Sequence, residues 1–124
     1  MTPRLNMFQA APEGIKAMLA VEASIEASGI EHGLLELVRL RASQINGCAF
    51  CIYMHVKDAI THGEAGMRLA MLDAWRDSPL FTDRERAALN WTESLTRVAK
   101  THAPDEDFAL LKSQFDDKEI AHLT

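Results

Sequence analysis

The 124-residue chain is poor in the residues that build sheets and in those that bind polyanions. Aromatic side chains make up only 6%, and valine and isoleucine are sparse beside alanine and leucine, a balance that favours helix over strand. No segment alternates apolar and polar residues for long enough to read as a strand. Lysine and arginine number 13 against 18 acids, a net charge of −5. With no basic run, the chain lacks the electrostatic footprint of a nucleic-acid or anionic-membrane partner. No apolar run approaches the roughly 20 residues needed to span a bilayer. Met1-Thr2-Pro3-Arg4-Leu5 has no hydrophobic signal core, so a cytoplasmic protein is expected. Glycine-rich phosphate loops, internal repeats and low-complexity stretches are missing, so no bound nucleotide or other cofactor is expected. Cysteine is the most informative scarcity: there are 2, and they lie three residues apart.

What is present is ordinary globular material, 48% hydrophobic and 25% charged, of a size that predicts one domain over residues 1–124. Punctuation falls at Pro12, Gly29, Asn46-Gly47, Gly63, Ser78-Pro79, Pro104 and Asp116. Between these points apolar residues recur at helical spacing. The pattern predicts helices over about 12–28, 31–45, 48–62, 64–75 and 82–99, a sixth opening at Pro104-Asp105-Glu106-Asp107 and a seventh at Asp116. Thr82-Asp83-Arg84-Glu85 reads as a capping box. The expected architecture is an all-α bundle of about six to seven helices joined by short loops. The last helix, Asp116 to Thr124, starts as a capped helix and stops after about two turns, so it is expected to be incomplete.

Cys48-Ala49-Phe50-Cys51 opens the third predicted helix. At about 100° per residue, Cys48, Cys51, His55, Asp58 and His62 fall within about 80° of one another. Ala49, Ile52, Val56 and Ile60 form a separate apolar stripe. Cys48 lies at the helix start, where free amides and the dipole favour a thiolate. His55 follows Cys51 by four residues, close enough to take its proton. Three chemistries remain open on spacing alone. The cysteines are small buried hydrophobes beside a satisfied histidine; or Cys48, Cys51, His55 and His62 hold zinc or serve a redox sensor; or the pair is a catalytic dithiol–disulfide centre. A thioredoxin arrangement is excluded, because the residues before the CxxC read as helix rather than strand.

The stretch Glu36-Leu37-Val38-Arg39-Leu40-Arg41-Ala42-Ser43-Gln44-Ile45-Asn46-Gly47-Cys48-Ala49-Phe50-Cys51-Ile52-Tyr53-Met54-His55 resembles the core of the carboxymuconolactone decarboxylase family. It is most similar to the alkylhydroperoxidase D-like branch, marked by a glutamate, then a CxxC and a histidine four residues on. Leu80 to Leu89 fits the same branch. The likeness implies an all-α fold, homo-oligomers (a dimer, trimer or hexamer) and peroxide reduction by a dithiol, which separates this branch from the lactone decarboxylases. It further implies Cys48 and Cys51 as the redox pair, His55 as the base and Glu36 as part of a proton relay, with a peroxide as substrate and a dithiol donor, of lipoyl type in some relatives. Better-studied relatives carry a histidine where Phe50 stands here.

Periodicity by itself places Glu36 on a polar stripe as a surface partner of Arg39. Arg41 is out of place within the apolar arc of Leu34, Val38 and Ile45. It is expected either to snorkel or to meet a carboxylate across a subunit contact. Asp58 is an alternative orienting group for His55. His62 is expected near a helix C-terminus, and Trp75 and Trp91 in a core or an interface.

Overall fold

The computed structural model describes residues 2–124, which are all helix, turn and loop with no strand among them. It divides into two compact units, Met1–Ile30 and Glu31–Thr124. The first holds α1 (Met7–Ala10) and α2 (Pro12–Glu26), which pack on each other. Asn6 caps α1 by accepting the Gln9 N–H, and Pro12 sits in the first turn of α2, where its missing donor costs nothing. Neither helix has a buried residue. Helix α1 escaped the periodicity reading because four residues carry no period.

The second unit is organised around α3 (His32–Asn46), which packs against both α4 (Ala49–Thr61) and α6 (Asp83–Thr96). Leu34, Leu35, Leu37 and Leu40 of α3 are all buried, as expected of a helix apolar around most of its circumference. The core gathers Leu37 and Leu40 with Leu69, Leu72, Trp75, Phe81 and Leu89, and Ile52 and Val56 of α4 pack against it. Behind α6 lie α8 (Asp105–Lys112) and then α9 (Asp117–Leu123), while the short α7 (Val98–Thr101) continues from α6. Capping boxes start α6 at Thr82/Glu85 and α9 at Asp116/Glu119, each cap worth about 1 kcal/mol.

The structure departs from the sequence expectation in several further places. The single helix expected over 64–75 is a short α5 (Gly66–Ala70) followed by a 3₁₀ turn, Leu72–Ala74. The tighter turn stacks residues three apart, and so Leu69, Leu72 and Trp75 all point inward. On α4 the buried arc runs from Ala59 through Ile52 to Val56. Ala49 and Ile60 are exposed, because they lie about 20–40° beyond Val56 on the helical wheel. The helix expected over 82–99 ends at Thr96, and Val98, beyond the break at Arg97, is exposed.

Arg41 neither snorkels nor requires a neighbouring subunit. Its side chain is 6% exposed and donates to Glu93 at 2.9 Å and to Asp73 within this chain. Glu93 also accepts from Trp75 Nε1 and Arg76, both at 2.9 Å. Burial opposes the charge on Glu93, but these donors outweigh it and hold the carboxyl below its ordinary range. Trp75 and Trp91 are both core residues. Among the described residues no helix is long and apolar enough to cross a membrane.

Candidate active site

One residue turns the chain from α3 into α4. Gly47 has φ 65°, in the left-handed region, and its N–H bonds back to Ser43 and Gln44. The Cys48 N–H reaches the Ser43 carbonyl at 3.1 Å, completing a Schellman-type stop. A side chain at Gly47 meets no neighbour. The glycine is therefore there for its backbone conformation, which costs other residues about 1–2 kcal/mol.

Cys48 is in turn the N-cap of α4, and its Sγ accepts the Cys51 N–H at 3.3 Å. The two cysteines are joined as a disulfide, with Cα atoms 5.3 Å apart. Both sulfurs therefore sit over the unpaired amides of the first turn, where a thiolate formed on reduction gains from the helix dipole.

His55 lies one turn beyond Cys51. Its Nδ1 is 2.9 Å from Oε2 of Glu36, a residue only 3% exposed. The other carboxylate oxygen, Oε1, accepts from Arg39 at 2.9 Å. The pairing with Arg39 read from the spacing is present, but on a buried carboxylate rather than a surface one. A helix wheel could not foresee this, because α4 covers that face of α3. A carboxylate can only accept, so His55 donates from Nδ1, and in the neutral imidazole Nε2 then keeps the lone pair. This is the tautomer suited to taking a thiol proton.

Asp58 does not take the orienting position. Its backbone carbonyl, at 2.8 Å, receives the Nδ1–H of His62 instead, and His62 is the C-cap of α4, at the helix end as expected. In the disulfide state Cys48 and Cys51 have no thiolate to offer a metal. The sequence reading overlooked His32, whose ring packs on that of His62 with centroids 4.0 Å apart. The overlooked signal was its position four residues before Glu36 on the same helix. Phe50 and Tyr53, beside the disulfide, are both more than half exposed.

An all-helical unit with a CxxC at a helix start and a buried glutamate bonded to a half-buried histidine behind it defines a narrow class. The model of the carboxymuconolactone decarboxylase family matches residues 9–94. Over 123 residues the chain is 36% identical to the uncharacterized protein YdfG of Bacillus subtilis, covering 99% of this chain and 84% of YdfG. It is 38% identical over 101 residues to the uncharacterized protein YnjA of Escherichia coli, covering 78% of this chain and about half, 53%, of YnjA. A crystal structure from Agrobacterium tumefaciens is similar with a TM-score of 0.93 and 43% identity, over 99% of this chain and 84% of that one. That protein is described as of unknown function and as a candidate AhpD antioxidant defence protein. The chain belongs to the carboxymuconolactone decarboxylase family, in its alkylhydroperoxidase D-like branch.

Proposed function

We propose that the chain is a thiol-dependent peroxidase that reduces alkyl or hydrogen peroxides by cycling Cys48 and Cys51 between dithiol and disulfide. The observation that carries this reading is the contact of Glu36 with His55, one helical turn from a bonded cysteine pair. His55 takes a proton from one thiol. The thiolate attacks a peroxide oxygen, forming an S–O bond as the O–O bond breaks. The departing alkoxide takes the proton and leaves as alcohol, or as water from hydrogen peroxide. The second thiol then displaces water from the sulfenic acid and closes the disulfide. A dithiol donor returns both protons and two electrons by two exchanges and ends as its own disulfide. Glu36 orients the imidazole and stabilises its protonated form.

The same reading carries three further proposals: one alkylhydroperoxidase D-like domain over residues 1–124, a cytoplasmic setting and a homo-oligomer. Met18, Leu19 and Val21 on α2 and Phe50, Tyr53 and Ile60 on α4 are all more than half exposed, apolar surface that association would cover.

Stopped-flow mixing of the reduced protein with cumene hydroperoxide tests the reaction. Disulfide and cumyl alcohol are expected in equal amounts. Reduced protein inert to peroxide and carrying about one zinc ion per chain on Cys48, Cys51 and His55 would instead establish a metal-binding module.

A further inference from the structure

Glu36 holds two partners at once, and the cycle described above uses only one of them. Its Oε2 accepts from Nδ1 of His55 at 2.9 Å. Its Oε1 accepts from the guanidinium of Arg39, three residues on along α3, also at 2.9 Å. The Glu36 side chain is 4% exposed and that of Arg39 18%, so this ion pair is screened far less than one on the surface. Ser43, one turn beyond Arg39, donates its hydroxyl to the Arg39 carbonyl at 2.7 Å, and its own carbonyl takes the Cys48 N–H. The turn that carries Arg39 is thus tied by hydrogen bonds to the corner that carries the first cysteine.

We propose that Arg39 is a positioning residue that keeps Nε2 of His55 unprotonated and ready for a thiol proton. Its use in turnover rests on the peroxidase reading, but its effect on the imidazole can be measured without peroxide. With His55 neutral, the charges of Arg39 and Glu36 cancel within this shielded trio. Without Arg39 a net negative charge stays on a carboxylate nearly out of water, with Oε1 deprived of its donor. Uptake of one proton from solvent removes that charge. The proton arrives at Nε2, the ring nitrogen that holds a lone pair. If the Nδ1 proton stays on the ring, the result is an imidazolium beside a carboxylate. If it crosses to Oε2, the result is a carboxylic acid donating to Nδ1 of a neutral ring. Nε2 carries a proton in both forms, and in neither can the ring take one from Cys48 or Cys51. Glu36 favours the charged imidazole that the cycle produces. Arg39 prevents that charge from forming before a thiol has given up its proton.

The test is ¹⁵N NMR of selectively histidine-labelled protein in the disulfide state, at one pH chosen so that Nε2 of wild-type His55 gives the signal of an unprotonated nitrogen. Arg39→Met keeps an apolar stem and removes the charge, and its Nε2 signal is expected to move to that of a protonated nitrogen. Arg39→Lys keeps a positive donor for Oε1 and is expected to retain the wild-type signal. If Arg39→Met folds poorly, Arg39→Ala gives the same reading. Stopped-flow mixing of the reduced proteins with cumene hydroperoxide should follow the same order. Disulfide formation is expected to slow by at least about tenfold in Arg39→Met, part of the roughly 10²–10⁴-fold that a general base contributes, and to stay near wild type in Arg39→Lys. An unprotonated Nε2 in Arg39→Met overturns the proposal, whatever the rate. A protonated Nε2 in Arg39→Lys as well also overturns it, because that is the signature of a disturbed helix rather than of a missing charge. Wild-type protein inert to cumene hydroperoxide, with Nε2 protonated in Arg39→Met alone, would overturn the peroxidase reading and leave the hold of Arg39 on the imidazole standing.

Discussion

Glu36 on α3 and Glu93 on α6 are both shielded carboxylates that bind an arginine, yet their remaining partners differ in kind. Glu93 is surrounded by donors that keep their protons: Arg41, Trp75 and Arg76. Glu36 has one such donor, Arg39, and one partner able to gain or lose a proton, the imidazole of His55. The first arrangement fastens α3, the 3₁₀ turn and α6 to one another. The second keeps a proton movable. A buried acid becomes chemically useful when one of its partners can change charge, and burial by itself does not distinguish the two cases.

Substitutions at the two sites should separate these roles. The largest effect is expected from His55→Ala, which should slow disulfide formation with peroxide by about 10²–10⁴-fold while leaving the unfolding transition nearly in place. Stopped-flow kinetics and a thermal melt read the two quantities. Glu93→Leu should do the reverse. It strips buried Arg41 of its shielded partner and should cost about 3–5 kcal/mol of stability by urea unfolding, with the peroxide rate per folded molecule unchanged. A loss of rate in that variant would erase the distinction. Glu36→Gln keeps the size of the side chain but removes its charge, and should slow peroxide reduction by at least about tenfold. An unchanged rate would return Glu36 to a purely structural pairing with Arg39.

The smallest effect concerns acid. Burial opposes the charges of Glu93 and Glu85, but Arg68 and the Thr82 N–H on Glu85, like the donors around Glu93, prevail and hold both carboxyls below their ordinary range. The folded protein therefore binds their protons more weakly than the unfolded chain does. Their contribution is intact above the ordinary carboxylate pKa and is lost as pH falls through that value toward the lowered ones. Urea midpoints should be flat from neutrality down to about pH 5 and decline below it. In Glu93→Leu the decline should be shallower.

Much of this molecule could be read from local sequence rules. The helix class, the capping box at Thr82, the capped start at Asp116, the corner at Asn46-Gly47 and the common face of Cys48, Cys51 and His55 depend on residues within one or two turns of each other. What these local rules miss, though the family resemblance pointed to Glu36 and His55, depends on partners far apart along the chain. Glu36 meets His55 across 19 positions and Arg41 meets Glu93 across 52, so a wheel that knows only one helix assigns the first to solvent and leaves the second unexplained. The 3₁₀ turn after α5 was hidden for a related reason. Its tightening serves three core side chains at once, and no single residue in it announces the change.

The single-residue corner at Gly47 also governs how the chain can vary in length. Helix α3 carries Glu36 and helix α4 carries Cys48, Cys51 and His55, with no slack between them. One residue added or removed beside Gly47 would rotate α4 by about 100° relative to its present register. The sulfurs and the imidazole would turn away together, and Glu36 would face the wrong side of its neighbour. The longer connection between the 3₁₀ turn and α6 tolerates such changes no better, because Trp75, Ser78 and Phe81 within it are buried and Arg86 donates to the Trp75, Arg76 and Ser78 carbonyls. The spacing from glutamate to cysteine to histidine thus acts as a fixed ruler, and length changes in engineered variants belong outside it.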